Sequence, residues 1–439
     1  MITPENEIIF ADNTAFCNNG QTYSSIDEAL DHIHGDVKLI ILSSISESVH
    51  IHRRSAIITT FGITVTVQQS FSDFLSVSMG TLYIKDALFS FETTANGDVS
   101  LNAIQCNNGG IVVFSSKFYG NHSTTLLSVD SSSVYMRGLR AFNFKKGIIG
   151  NSTLSLDSLI LHVMDTGISI TEGVVEIYDV VINGPPNDMG TMGIAYSGVH
   201  GELNVNSCFI TCFETGIETS GTALLRGAII HHCSENGIVA QNNTEPYLCE
   251  VSECNIDRCK YGVYCSKMFV AVVDSFIRYA TTGVYADENY STRVETTIIH
   301  ACDTIIHCYN AQVMKVLGCC LYDCRNVFNI NTVDCFNVCG CRVLYFRRTA
   351  FLMTGFVEEF GFQDNAFCIN ENDAIFEQMA PGFHINETET EGNVLYTKKN
   401  VDSQLLQSGD YTIIPKIITV SPIKRERDEN IRELLESIM

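Results

Sequence analysis

Five cysteines and two histidines lie within residues 289–324, in an otherwise apolar stretch. Such side chains could bind a metal ion, form disulfides or fill a core. The pairs Cys208/Cys212 and Cys320/Cys324 have a C-x3-C spacing, which falls within the loose range for zinc ligands. On a β-strand, residues four apart lie about 13 Å from each other, so a shared metal would require a sharp turn between them.

Fifteen of the 18 cysteines lie between Cys208 and Cys341, and their spacings are irregular, unlike those of a repeated zinc module. A buried thiol behaves as a small hydrophobic group and suits a narrow interior. We therefore favour core packing over a metal site or a set of disulfides, and we expect no cofactor. Cys319 and Cys320 are adjacent and would face opposite ways, which leaves open whether one of these thiols is exposed.

The histidine pairs point to no metal site. His50 and His52 would lie on one face of a strand, but the adjacent Arg53 and Arg54 favour a solvated face. The adjacent pair at residues 231–232 would point to opposite faces of a strand and could not chelate together.

Acid–base catalysis on a polysaccharide needs a pair of carboxylates on one exposed face. Asp165, Asp179 and Asp274 share no register. The chain contains no G-x-x-x-x-G-K-[ST], G-x-S-x-G or H-E-x-x-H motif and no tryptophan for sugar stacking. We expect no enzyme, with a carbohydrate-active β-helix enzyme as the weaker alternative.

A glycine followed by Ile or Val recurs through the middle of the chain, in steps of 20, 26, 23, 21, 25 and 21 residues. These coil marks are Gly147, Gly167, Gly193, Gly216, Gly237, Gly262 and Gly283. Thr304-Ile305 and Asn326-Val327 would continue the series, with Asn as a substitute for a glycine of positive φ. Eight residues before the marks, one inward column is expected to contain Cys208, Ile229, Cys254, Ser275 and Thr296.

Short alternating runs separate the coil marks, without helices between them. One turn of a parallel β-helix needs roughly twenty residues, which matches the repeat. The sequence therefore predicts an all-β fold: a single-stranded, right-handed parallel β-helix (solenoid) with a short N-terminal cap helix and a C-terminal helical tail. The expected divisions are an N-terminal segment with the cap helix at 1–35, coils of about 22 residues at 36–345 and irregular strands with the tail at 346–439.

Both ends carry helix signals. Ser25 and Glu28 form a capping box that opens a short helix before the strands VKLIIL and SVHIH. The tail carries an apolar stripe, which predicts either a folded-back cap or a partner-docking helix; its residues are Ile431, Leu434, Leu435 and Ile438.

The net charge of −23 argues against nucleic acid as a partner and suits docking on a basic or polar protein surface. The N-terminus MITPENEII has no secretory pattern, and apolar runs are too short to span a bilayer. We therefore expect no membrane association and a chain made inside a cell, where most thiols stay reduced.

The coils "TALLRGAIIHHCSENGIVA", "CEVSECNIDRCKYGVYC" and "STRVETTIIHACDTIIHCYNAQVMKVLGCC" resemble the β-helix of an adenoviral group. "SSIDEALDHI" and "SISESVHIHRRSAIITTFG" are similar to the start of that solenoid. The resemblance covers roughly residues 23–345. The group includes the left-hand-end capsid protein of atadenoviruses and the large early-region transforming protein of mastadenoviruses.

The resemblance implies one of two functions. The capsid branch implies a homotrimeric knob on the virion surface that cements hexons, the major capsid protein, after assembly in the host cell nucleus. The early-protein branch implies an intracellular adaptor that binds host regulatory proteins and a ubiquitin ligase. The solenoid is expected to begin by about residue 25, without the long N-terminal region and acidic serine-rich tail of the early protein, which favours the capsid branch. No catalytic residue is implied.

Overall fold

A computed structural model describes residues 4–69, 73–93, 101–187, 189–369, 374–378, 384–397 and 418–419. Within these ranges one α-helix and many short strands occur, and almost all strand pairs are parallel. The predicted parallel β-solenoid is confirmed. The chain forms two compact units, Met1–Lys260 and Tyr261–Met439.

The N-terminal end begins with a meander that the sequence did not indicate. Its first strand (β1, Asn6–Ala11) pairs antiparallel with the second and parallel with the fourth. The predicted cap helix is present as α1, Ile26–His32. The Ser25 hydroxyl accepts a hydrogen bond from the Glu28 backbone N–H at 3.0 Å, and the Glu28 carboxylate accepts one from the Ser24 backbone N–H at 2.9 Å. Ser25 thus caps the helix as predicted, whereas Glu28 binds the backbone N–H of the residue before the cap instead of that of Ser25.

The described residues of the first unit contain 23 strands. They are β1 (Asn6–Ala11), β2 (Thr14–Cys17), β3 (Thr22–Tyr23), β4 (Val37–Ile41), β5 (Val49–His52), β6 (Ser55–Thr59), β7 (Thr64–Gln69), β8 (Leu75–Ser78), β9 (Thr81–Lys85), β10 (Leu88–Thr93), β11 (Asn102–Asn107), β12 (Gly110–Phe114), β13 (Lys117–Tyr119), β14 (Thr125–Arg137), β15 (Arg140–Asp157), β16 (Ile160–Ile170), β17 (Val174–Asn183), β18 (Gly190–Tyr196), β19 (Glu202–Thr219), β20 (Thr222–Arg226), β21 (Ile229–Gln241), β22 (Leu248–Ser252) and β23 (Asn255–Asp257).

These strands form three parallel stacks, and the longest strands turn corners and contribute to more than one stack. We call the first stack the lateral face. In order along the solenoid, its strands are β7, β10, β13, β15, β16, β17, β19, β21 and β23. A second stack, the opposite face, includes β12, β14, β15, β17, β19, β20 and β22. The glycine face contains β15, β16, β18, β19 and β21.

The second unit repeats the arrangement, and parallel pairing continues past residue 345 to β40. Its strands are β24 (Tyr261–Ser266), β25 (Phe269–Val273), β26 (Phe276–Arg278), β27 (Thr282–Asp287), β28 (Ser291–Glu295), β29 (Ile298–His300), β30 (Thr304–Tyr309), β31 (Ala311–Leu317), β32 (Cys320–Ile330), β33 (Val333–Cys339), β34 (Arg342–Met353), β35 (Phe356–Gln363), β36 (Ala366–Ile369), β37 (Ala374–Gln378), β38 (His384–Glu391), β39 (Val394–Thr397) and β40 (Ile418–Thr419).

Five of the glycine coil marks form one column in the first unit, Gly147 to Gly237, and the other two stack in the second unit. A Cβ added to Gly216 would lie 2.6 Å from the carbonyl oxygen of Gly237, and one on Gly193 would lie 2.4 Å from that of Gly216. None of the coil-mark glycines has a positive φ. The predicted positive φ is therefore wrong: glycine is needed because adjacent coils approach closely.

The extension of this series to Thr304 and Asn326 is shifted by one residue. Thr282 pairs with Thr304 and Thr304 with Asn326, so Ile305 lies opposite Gly283. The last coils therefore fill the glycine position with buried aliphatic side chains. A one-residue slip exchanges the two faces of a strand, which is why spacing alone misplaced this column.

Left-handed residues mark the corners of the coils. In the first unit they include Ser207, with φ 60°, His232, with φ 54°, and Arg258, with φ 55°. The interior contains packed aromatic rings, such as Phe74 and Phe89, which meet edge to face at a centroid distance of 5.3 Å. Each coil thus has flat faces joined by tight corners around one apolar core.

Candidate functional site

An unbroken row of outward apolar side chains runs along the lateral face of the first unit. Ile160 pairs with Val181, Val181 with Phe209 and Phe209 with Ile229, so four consecutive coils each contribute one apolar residue. Phe209 is 36% exposed and Ile229 44% exposed, while the other two are half-buried. Parallel strands lie about 4.8 Å apart, so the row is continuous along the four coils. We call these four residues the apolar row.

Other exposed apolar side chains of the same coils do not form a row, because polar residues lie between them in register. On the opposite face, Leu224 lies between Asn204 and Glu250 in register. Leu248 lies next to Thr222 on the same face. Leu224 and Leu248 are 38% and 45% exposed, so they match Phe209 and Ile229 in exposure and differ in their neighbours. Continuity, rather than exposure, distinguishes the apolar row.

A polar row runs beside the apolar row, two residues further along each strand. It contains His162, Asn183, Thr211, His231 and Asp257. The lateral face therefore presents hydrogen-bonding side chains directly beside the apolar row.

The adjacent histidines at the end of the polar row lie together, which contradicts the prediction of opposite faces. The rings of His231 and His232 have centroids 3.9 Å apart. His232 has φ 54°, and this left-handed corner breaks the two-residue alternation on which the prediction rested. His231 Nε2 lies 2.7 Å from Asp257 Oδ2, and Arg258 Nη1 donates to His232 Nε2 at 2.8 Å.

This histidine cluster is not arranged as a metal site. The Asp257 carboxylate and the Arg258 guanidinium each occupy one imidazole Nε2. Burial lowers the pKa of His231, and the neighbouring His232 lowers that pKa further. Within the described ranges, no group of three or more His, Cys, Asp or Glu side chains could hold a metal ion.

The other His and carboxylate candidates are engaged in separate contacts. His50 is exposed, as predicted, and its Nδ1 lies 2.5 Å from Asp27 Oδ2. Asp165 accepts a hydrogen bond from Thr191 at 2.6 Å and lies 3.8 Å from the Lys146 ammonium. Asp274 accepts from Thr296.

A lateral row also occurs in the second unit. Phe276 pairs with Ile298 and Ile298 with Cys320, all half-buried, before the row ends at Arg342. Cys320 is the outward thiol of the adjacent pair, whereas Cys319 is 1% exposed. The question left open by their sequence is thus answered: one of the two thiols is buried and the other half-exposed.

The predicted inward column before the coil marks is only partly present. Cys208, Cys254 and Ser275 are buried, but Ile229 belongs to the apolar row and Thr296 is exposed. Thr297 occupies the inward position instead of Thr296. The spacing between coil marks varies because the corners differ in length. A fixed count of eight residues before each glycine therefore does not reach the same position in every coil.

Most of the cysteines fill the interior, as predicted, and several also bind backbone carbonyls at corners. Cys254 Sγ donates to the Ser252 carbonyl at 3.3 Å and to that of Leu225 at 3.4 Å. Cys319 Sγ donates to the Leu317 carbonyl at 3.4 Å. A thiol at these positions therefore fills space and satisfies a corner carbonyl.

The tail stripe lies outside the described residues; its members are Ile431, Leu434, Leu435 and Ile438. No helix in the portion that the structure describes is long and apolar enough to cross a membrane.

The sequence did not reveal the apolar row, because the spacing from the coil marks had placed Ile229 in the interior. The signal that could have found it is the apolar residue two positions after each corner residue.

No family model matches the chain, and no curated protein matches it. Among solved structures, the catalytic domain of a GH87 alpha-1,3-glucanase in complex with nigerose is 10% identical, with a TM-score of 0.30; the match covers 90% of this chain and 70% of that one. The A-module of the mannuronan C-5 epimerase AlgE6 from Azotobacter vinelandii is 10% identical, with a TM-score of 0.25, covering 86% of this chain and 94% of that one. Both of these proteins are enzymes, and similarity at this level carries no conclusion about the activity of this chain.

Proposed function

We propose that the chain is a structural component of a virion surface that self-associates as a homotrimer through its lateral face and contacts the major capsid protein, hexon. The observation that carries the proposal is the apolar row, Ile160, Val181, Phe209 and Ile229. Exposed apolar surface of this kind marks interaction sites on soluble proteins.

A second copy of the same chain is the occupant that best fits the apolar row. With a net charge of −23, two copies repel each other over most of their surface. The four side chains of the row are uncharged, so contact there meets the least repulsion. A straight row that runs from coil to coil can also lie along a three-fold axis, where its three copies would pack against one another.

Paired substitutions test this interface. Phe209→Asp with Ile229→Asp places two carboxylates in the row and should convert the oligomer to a monomer, measured by light scattering at micromolar concentration. The matched control, Leu224→Asp with Leu248→Asp, adds the same charge at equally exposed positions of the opposite face. The control should remain oligomeric; equal dissociation of both variants would contradict the proposed interface.

Location of the protein tests the virion role separately. It should be present in stoichiometric amounts in purified virions after a salt wash. Recovery only from infected-cell extracts, together with ubiquitin-ligase components, would instead support the intracellular adaptor.

A further inference from the structure

Pairs of cysteines stack on one another in adjacent coils, each directly after a corner residue. Cys233 follows His232, with φ 54°, and Cys259 follows Arg258, with φ 55°. The strands that lead into these two corners are in register, so the two cysteines occupy equivalent positions in consecutive coils. Their thiols are hydrogen-bonded to each other.

The second unit repeats this juxtaposition twice. Cys319 and Cys341 follow Gly318 and Gly340, with φ 61° and 66°, and they lie in register in adjacent coils. Equivalent corner positions of two other adjacent coils contain Cys302 and Cys324.

The coil spacing suits a covalent link between such residues. Residues in register on parallel strands have Cα atoms about 4.8 Å apart. Disulfides join residues whose Cα atoms lie about 4.4–6.8 Å apart. Cys208 differs, because its neighbour in the next coil is Ala228 and Cys254 lies one coil further.

We propose that Cys233 and Cys259 form an oxidation site, in which a peroxide converts the two thiols into a disulfide that joins adjacent coils. Cys302/Cys324 and Cys319/Cys341 are further sites of the same kind. Cys259 is 6% exposed, more than any other member of the three pairs, so the first pair reacts first. This inference concerns the chain itself and does not depend on the virion role.

The reaction balances with hydrogen peroxide as the two-electron oxidant. The Cys259 sulfur attacks one peroxide oxygen, the O–O bond breaks, and the displaced hydroxide takes the thiol proton to form water. The Cys233 sulfur then attacks the sulfenic sulfur of Cys259, the S–O bond breaks, and the leaving hydroxide takes the Cys233 proton to form a second water. A hydrogen bond from the Cys233 thiol lowers the pKa of Cys259, which assigns the first attack to Cys259.

Peptide mapping of the peroxide-treated, folded full-length chain tests the proposal. After remaining thiols are alkylated, digestion without reduction should give a peptide pair linked through Cys233 and Cys259 before any other link. The intact chain should lose two hydrogen atoms for each link, and its melting temperature should rise. Cys208→Ala is the matched control and should leave the link intact, whereas Cys259→Ala should abolish it.

Two results would overturn the proposal, and both come from the unsubstituted chain. One is that the half-exposed thiols, such as Cys320 and Cys335, are oxidised while Cys233 and Cys259 remain fully alkylatable. The other is that links join cysteines that are not in register, such as Cys212 with Cys233, or that they form only in denaturant.

Discussion

At the scale of single residues, cysteines at two kinds of buried position should respond differently to the same substitution. Cys254 donates to a corner carbonyl, and Ser275 makes the same kind of bond to Val273 at 2.8 Å, so serine is compatible with this position. Cys308 lies on a strand, inward and fully buried, in register with Ala286 and Ile330. Cys308→Ser should lower the free energy of unfolding by about 1–3 kcal/mol because it buries a hydroxyl in an apolar column.

Cys254→Ser should cost clearly less, since the hydroxyl can replace the thiol as donor. Denaturant unfolding of the two variants measures the difference. If both variants lost the same free energy of unfolding, the difference proposed between corner thiols and strand thiols would be contradicted.

Three half-buried histidines should make stability depend on pH. Burial lowers the pKa of His162, His231 and His307 below the ordinary value of 6.5, so the folded chain favours their neutral forms. The stabilisation is present above pH 6.5 and is lost as pH falls through the lower folded pKa values, because the unfolded chain then binds more protons. Unfolding free energy should therefore fall between about pH 7.5 and 5.5, where carboxyl groups stay ionised.

The matched variant for this prediction is His307→Asn, which removes one of the three groups. It should flatten the pH dependence. A variant with the same slope as the unsubstituted chain would assign the pH dependence to other groups.

At the scale of strands and corners, the glycine column controls how closely coils approach. Gly216→Ala should lower the free energy of unfolding by about 1–3 kcal/mol, because the added Cβ would meet the Gly237 carbonyl oxygen and the Ile230 side chain, both at 2.6 Å. Gly227→Asn is the control: Gly227 has φ +63°, which Asn tolerates, and its nearest neighbour is 3.6 Å away. Denaturant midpoints compare the two variants, and a neutral Gly216→Ala would refute close approach as the reason for glycine.

The same scale explains what the sequence could predict. Even spacing of short alternating runs was enough for the parallel solenoid and for the glycine column, because each coil repeats one local pattern. Whether a side chain points inward or outward could not be predicted wherever a left-handed corner residue such as His232 interrupts the alternation of the strand. The histidine cluster and the apolar row both depend on these corners, which no single residue type marks: Ser207, Cys212 and Arg258 all adopt positive φ.

At the scale of the whole molecule, a strongly anionic chain carries an uncharged apolar row on the lateral face of its first unit. The negative charge disfavours random contacts between copies, whereas the row provides a place where apolar surface can be buried. Specific association through that face, rather than general adhesion, is the expected behaviour.

The mass of the unsubstituted chain in solution tests this central claim most directly. Light scattering at micromolar concentration should give three times the chain mass of 48.6 kDa, and that mass should persist at moderate salt because the contact is apolar. A single monomeric species at the same concentration would contradict the account.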